Sequence, residues 1–145
     1  TDYVERLPRA AEYLRRCARV RSRLLPHLAR GRMLRPPAPG GELPQVTANW
    51  AWGGGDWPVT TPALQTGAWR AEDGSVAFVF ANTIDRPLSF SWTLDGNEYG
   101  LTGDARPCSR VTEEGVAVAE SVTPGADLTL TLEPLAVVAL VLPAG

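Results

Sequence analysis

Few residues of this 145-residue sequence are equipped for catalysis. There is one histidine, His27, and there are two cysteines, Cys17 and Cys108, with none of the spacing that His/Cys metal sites use. A Ser-His-Asp triad would depend on His27 alone, and no Gly-x-Ser-x-Gly occurs. Glu72, Asp73, Asp85, Glu113 and Glu114 fall in stretches that read as hairpin turns, where acids serve the turn itself. Nothing in the sequence sets two carboxyls about 5–9.5 Å apart across a cleft, the arrangement that cleaves a glycosidic bond. The run Gly53-Gly54-Gly55 is followed by Asp56 rather than Lys and Ser or Thr, and no helical period follows it, so a phosphate loop is not expected. The expectation is a chain with no catalytic set, no metal ligands and no cofactor.

One constellation stands apart. Trp50, Trp52 and Trp57 surround the glycine run, with Asp56 among them. An exposed indole presents a flat, electron-rich apolar face that matches the C–H face of a sugar ring. Flanking glycines allow close approach of a ligand. Trp50, Trp52, Asp56 and Trp57 are therefore candidate carbohydrate contacts. The same three rings would also serve to fasten their segment onto the rest of the chain or onto a neighbouring domain, and the sequence leaves both uses open.

The elements that must hold these residues differ along the chain. Residues 1–35 read as a helical segment. Tyr3, Leu7, Ala10, Leu14, Cys17, Arg21, Leu24 and Leu28 recur in steps of four and three, one apolar stripe with Arg21 as its violation. Asp2 can cap the first turn, Pro8 and Pro26 can kink or restart the helix, and Gly31 is placed to end it. Such a stripe must be covered, either by this chain or by a larger body. Residues 36–62, rich in Pro and Gly, read as a long connection with little regular structure beyond a short strand near 43–47.

Residues 63–145 read as β-structure. Leu64–Ala71 and Ser75–Ala81 flank Glu72-Asp73-Gly74 as a hairpin, and the second strand is apolar on both faces. Leu88, Phe90, Trp92 and Leu94 alternate with polar residues, as do Leu128, Leu130 and Leu132. Ser109–Glu113 and Gly115–Glu120 form a weaker pair, and Leu135–Leu142 is an apolar closing strand. The fold expected is mainly β: an antiparallel β-sandwich of six to eight strands preceded by a long N-terminal α-helix. Trp69 and Trp92 belong in or near its core. A Cys17–Cys108 disulfide would require the helix to lie against the strand bearing Cys108.

Charge divides the chain. Residues 1–35 carry +7 and residues 36–145 carry −9, with every basic residue an arginine. A basic stretch can bind nucleic acid, but arginines on one helix face that are solvated, or paired with an acidic neighbour, account for it more simply, and no nucleic-acid partner is expected. Hydrophobic residues at 44% and charged residues at 21% argue for a packed domain rather than a disordered one. The longest apolar stretch, Leu135–Pro143, is far short of the ~20 residues that span a bilayer, so no membrane partner is expected. No basic-then-apolar leader opens the sequence.

The order of these elements carries a resemblance. An Arg-rich helix runs into Gly31-Arg32-Met33-Leu34-Arg35-Pro36-Pro37. A Pro/Gly connection leads to Trp69-Arg70-Ala71-Glu72-Asp73-Gly74 and on to Asn82 after the next strand. The chain closes on Leu132-Glu133-Pro134 and an apolar run. This resembles the C-terminal region of bacterial glycoside hydrolases in which a (β/α)₈ barrel is followed by an antiparallel β-sandwich. The resemblance implies that residues 1–31 are the last helix or helices of a barrel upstream of Thr1, and that the acid and base lie in that barrel. It implies a non-catalytic accessory sandwich that stabilises the barrel, with the barrel of the same polypeptide as partner. The alternative is a carbohydrate-binding module that uses the Trp-rich loop.

Overall fold

The computed structural model describes Glu5 and residues 7–145. Asp2 and Tyr3, expected to cap and to open the apolar stripe, lie outside the described residues. Helix α1 spans Pro8–Arg23, with Pro8 at the first helical position, where a missing N–H forfeits no hydrogen bond. Pro8 thus starts the helix rather than kinking it. A one-turn helix α2, Leu25–Leu28, follows, with Pro26 in its first turn. The helical segment thus restarts at Pro26, one of the two outcomes expected there, and after Gly31 the chain passes at once into strand β1, Arg32–Leu34. Gly31 is needed there because a Cβ would lie 2.3 Å from the His27 carbonyl oxygen and 2.5 Å from that of Arg70.

Nine further strands follow: β2 Gln45–Trp52, β3 Gly55–Pro62, β4 Leu64–Arg70, β5 Val76–Asn82, β6 Leu88–Thr93, β7 Arg106–Val111, β8 Val116–Val122, β9 Asp127–Leu132 and β10 Val137–Leu142. A six-stranded antiparallel sheet has the order β1-β4-β5-β10-β7-β8. β6 and β9 pair separately, with Phe90 opposite Leu130 and Trp92 opposite Leu128. β2 and β3 form a hairpin of their own.

The two sheets close on an aromatic core. Strand alternation sends Val76, Phe78 and Phe80 of β5 to one face, where they meet Leu88, Phe90 and Trp92 of β6. Phe78 lies 4.8 Å from Trp92 and 4.7 Å from Tyr99 between ring centroids, and Phe80 lies 5.1 Å from Phe90. Tilted and edge-on contacts at these distances suit the ring quadrupoles. Asn82 is fully buried at the rim. Its amide nitrogen donates to the carbonyls of Arg86 (2.8 Å) and Glu133 (3.0 Å), and its oxygen accepts from the Ile84 N–H (3.1 Å). It ties the β5–β6 turn to the β9–β10 turn.

The other face of β5 and β10 is apolar too. Ala77, Val79, Ala81, Val137, Ala139 and Val141 are covered by Tyr13, Cys17, Val20, Leu24 and Leu28. The stripe of α1 is thus covered by this chain, and the molecule has three layers: helix, six-stranded sheet, two-stranded sheet. The buried side of α1 is rotated from the stripe expected. Val20 and Leu24 are buried, whereas Leu7 and Leu14 are 49% and 65% exposed. Arginines on one flank reach acids of the sandwich. Arg16 and Arg19 bind Glu113 at 3.3 and 3.2 Å, and Arg9 binds Asp85. The opposed charges of the two segments meet inside one molecule. Cys17 and Cys108 are free thiols on opposite faces of the six-stranded sheet, which excludes the disulfide.

Candidate functional site

The segment expected to be an irregular connection is a regular β-hairpin. Gly53 and Gly54 both take positive φ, 61° and 80°, the backbone of a two-residue turn whose twist matches the strands it joins. The glycine run therefore makes a hairpin tip, and the strands on either side pair over eight residues each.

Register decides what each face carries. Trp50 pairs with Trp57, Trp52 with Gly55, and Ala48 with Val59. Paired residues share a face, as do residues two apart. One face therefore bears Ala48, Trp50, Trp52, Trp57 and Val59, with no charge on it. Trp50, Trp52 and Trp57 are 68%, 74% and 59% exposed, so they do not fasten the hairpin to this chain's sandwich. With no side chain on Gly55, the Trp57 ring leans across it. Its Nε1 stands 3.5 Å from where a Cβ would sit and donates to the Trp52 carbonyl at 3.3 Å. Asp56 pairs with Ala51 and points from the opposite face. Three of the four candidate contacts thus share one face and the fourth does not. That opposite face also carries the Thr47–Thr60 hydroxyl pair, 2.8 Å apart. Val59 and Ala48 complete the apolar face, and period-2 alternation along Gln45–Trp52 was the signal for it.

The chain's one histidine is engaged in structure. His27 is buried, and its Nε2 lies 2.9 Å from the Ser75 hydroxyl. That hydroxyl donates to Asp73 Oδ1 at 2.6 Å, and the Ser75 N–H donates to the same oxygen at 2.9 Å. The Ser75 proton is thus directed at the carboxylate, so the hydroxyl accepts from an Nε2–H tautomer of His27. The order Asp–Ser–His is the wrong one for activating the hydroxyl as a nucleophile, which needs the imidazole between the other two. The Nδ1 of His27 is buried without a partner. Burial holds the His27 pKa below its ordinary value against an opposing pull from Asp73. The bonds from the Ser75 hydroxyl and N–H lower that of Asp73. Together they clasp α2 to the β4–β5 turn.

Burial raises the Cys108 thiol pKa, which keeps it protonated. Tyr13 is pushed up to about 12 by burial, reinforced by Cys17. A cleft of about 370 Å³ between α1 and the ends of β7 and β10 is lined by Arg16, Arg110, Glu113, Glu114 and Glu133. Its Glu113 is held by Arg16 and Arg19. Among the described residues no group of three His, Cys, Asp or Glu side chains could hold a metal ion, and no helix is long and apolar enough to cross a membrane.

No family model and no curated protein matches the sequence. Among solved structures, the chain is similar to a bifunctional glucanase-xylanase, CelM2, from a metagenome library, at 15% identity and a TM-score of 0.41 over 62% of this chain and 18% of that one. It is similar to a family 30 endoxylanase from Clostridium papyrosolvens, at 18% identity and a TM-score of 0.40 over 61% of this chain and 23% of that one. A family 44 xyloglucanase from Paenibacillus polymyxa gives 18% identity and a TM-score of 0.40 over 62% and 19%. These structural neighbours are glycoside hydrolases. The chain spans about a fifth of their length.

Proposed function

We propose that this chain is a non-catalytic accessory module of a glycoside hydrolase, a β-sandwich that packs on the catalytic barrel of the same polypeptide and stabilises it. The observation that carries this reading is the group of exposed leucines along the helical segment. One side of the helix is finished against the sheet by Val20 and Leu24. The flank away from Arg16 and Arg19 leaves Leu7, just ahead of α1, Leu14 and, in α2, Leu25 at 49%, 65% and 41% exposure, with Arg21 beside Leu14. Exposed leucines beside a helix already seated on its own sheet suit a second body. The element order of the sequence supports the barrel as the second body. The engagement of His27, Ser75, Asp73 and Glu113 in packing contacts supports a non-catalytic role.

The test compares the isolated chain with the longer polypeptide. Leu7→Asp/Leu14→Asp is expected to leave the unfolding of the isolated chain within about 1 kcal/mol of wild type. In the longer polypeptide it lowers the unfolding temperature of the catalytic domain. An unaffected catalytic domain would overturn the docking role, and turnover of aryl-glycosides by the isolated chain would overturn the non-catalytic one.

A further inference from the structure

The hairpin is separate from the surface just described, and its chemistry is different. We propose that the Trp50–Trp52–Trp57 face of β2–β3 is a stacking platform for an extended polysaccharide of β-linked pyranose units.

Four observations point to that occupant. The face carries three indoles and no charge, and its one nearby carboxylate, Asp56, is on the reverse side. A pyranose ring with equatorial hydroxyls has C–H bonds on both faces and meets an indole as an apolar plate. Trp50 and Trp52 are two residues apart on one strand, about 7 Å, and follow its axis, with Trp57 on the neighbouring strand beside Trp50. Indoles spaced along one strand axis suit successive units of an extended chain rather than a coiled one.

The footprint is small. Two strands of eight residues cover about 27 by 10 Å, roughly 270 Å², against the ~800 Å² per partner of a stable protein–protein interface. A second copy of this chain is thereby disfavoured. Hydrogen bonding is also available. The Trp57 N–H is used internally, which fixes that ring, while among the described residues the Trp50 and Trp52 N–H groups make no hydrogen bond. They can reach sugar hydroxyls at the edges of stacked rings.

The experiment is titration of the chain with cellohexaose, followed by calorimetry and by intrinsic fluorescence. Binding with a Kd of about 10 µM–1 mM is expected, with a change in emission from the exposed indoles. Trp50→Ala/Trp52→Ala should weaken it at least about tenfold while far-UV dichroism and thermal unfolding stay at wild type, since both rings lie outside the core. Maltohexaose, which coils, should bind more weakly. Absence of heat and of emission change up to about 10 mM sugar would overturn the proposal. So would an unchanged affinity in the double variant. Loss of a self-association equilibrium in the variant, without any sugar binding in the wild type, would assign the face to a second copy instead.

Discussion

Leu24 sits at the end of α1 with 1% exposure, against the outer face of the six-stranded sheet. Leu24→Ala removes three carbon atoms from that layer, about 2.5 kcal/mol of transfer free energy at ~0.8 kcal/mol per carbon. A residual cavity under a helix that bridges β5 and β10 adds to this, for an expected loss of about 3–4 kcal/mol. For a domain of this size each kcal/mol shifts the midpoint by roughly 3 °C, so the transition should fall by about 10 °C. Thermal unfolding would be followed by far-UV dichroism, which sees the helix, and by tryptophan emission, which sees Trp92 in the sandwich core. Both probes should shift together, because the helix is one layer of a single cooperative unit. Leu14→Ala, on the exposed flank, should move neither by more than about 0.5 kcal/mol. If the helical signal melts ahead of the tryptophan signal, or if Leu24→Ala leaves the midpoint unmoved, α1 is not part of that unit and the three-layer description is wrong.

The chain's one histidine makes pH a clean probe. His27 is held below its ordinary value of 6.5 by burial, so the unfolded chain binds more protons between the folded value and 6.5. The stabilisation is present above pH 6.5 and is lost as pH falls through that window. Chemical denaturation at pH 7.5 and 5.5 should show the loss in wild type, and a flatter profile in His27→Gln. Asn82→Ala orphans the Arg86 and Glu133 carbonyls and the Ile84 N–H at a fully buried site. It should cost about 2–4 kcal/mol in urea unfolding with an unchanged m-value, and a loss below 1 kcal/mol would mean that these groups find other partners.

The sandwich strands were legible because their side chains face two environments. Phe90 and Trp92 alternate with Ser91 and Thr93, and β5 is apolar on both faces because both are covered. Strand partners were less legible. β6 pairs with β9, forty residues away, and no local pattern encodes that. The helix stripe in the sequence has its centre displaced from the buried side, because Leu7 and Leu14 keep the same spacing as Arg21 and face away from the sheet with it. The greatest departure was the hairpin. Its prolines and glycines read as a connection, yet Gly53-Gly54 is what a tight turn requires, and Val46, Ala48 and Trp50 alternate with Gln45, Thr47 and Asn49. Exposed tryptophans in a strand run against the usual use of such residues, so burial logic gave no guide. The clasp of His27 on Ser75 joins residues 48 positions apart and had no signature in sequence.

β10 occupies the middle of the six-stranded sheet, between β5 and β7, although it comes after both of them in the chain. α1, the first described element, rests on it. The two ends of the described chain therefore complete one another. Before residues 137–142 leave the ribosome, β5 has no partner on one edge and α1 has only part of its seat. Folding has to wait until residues 137–142 have emerged, and until then Phe78, Phe80 and the exposed strand edges are hazards that a chaperone would be suited to shield.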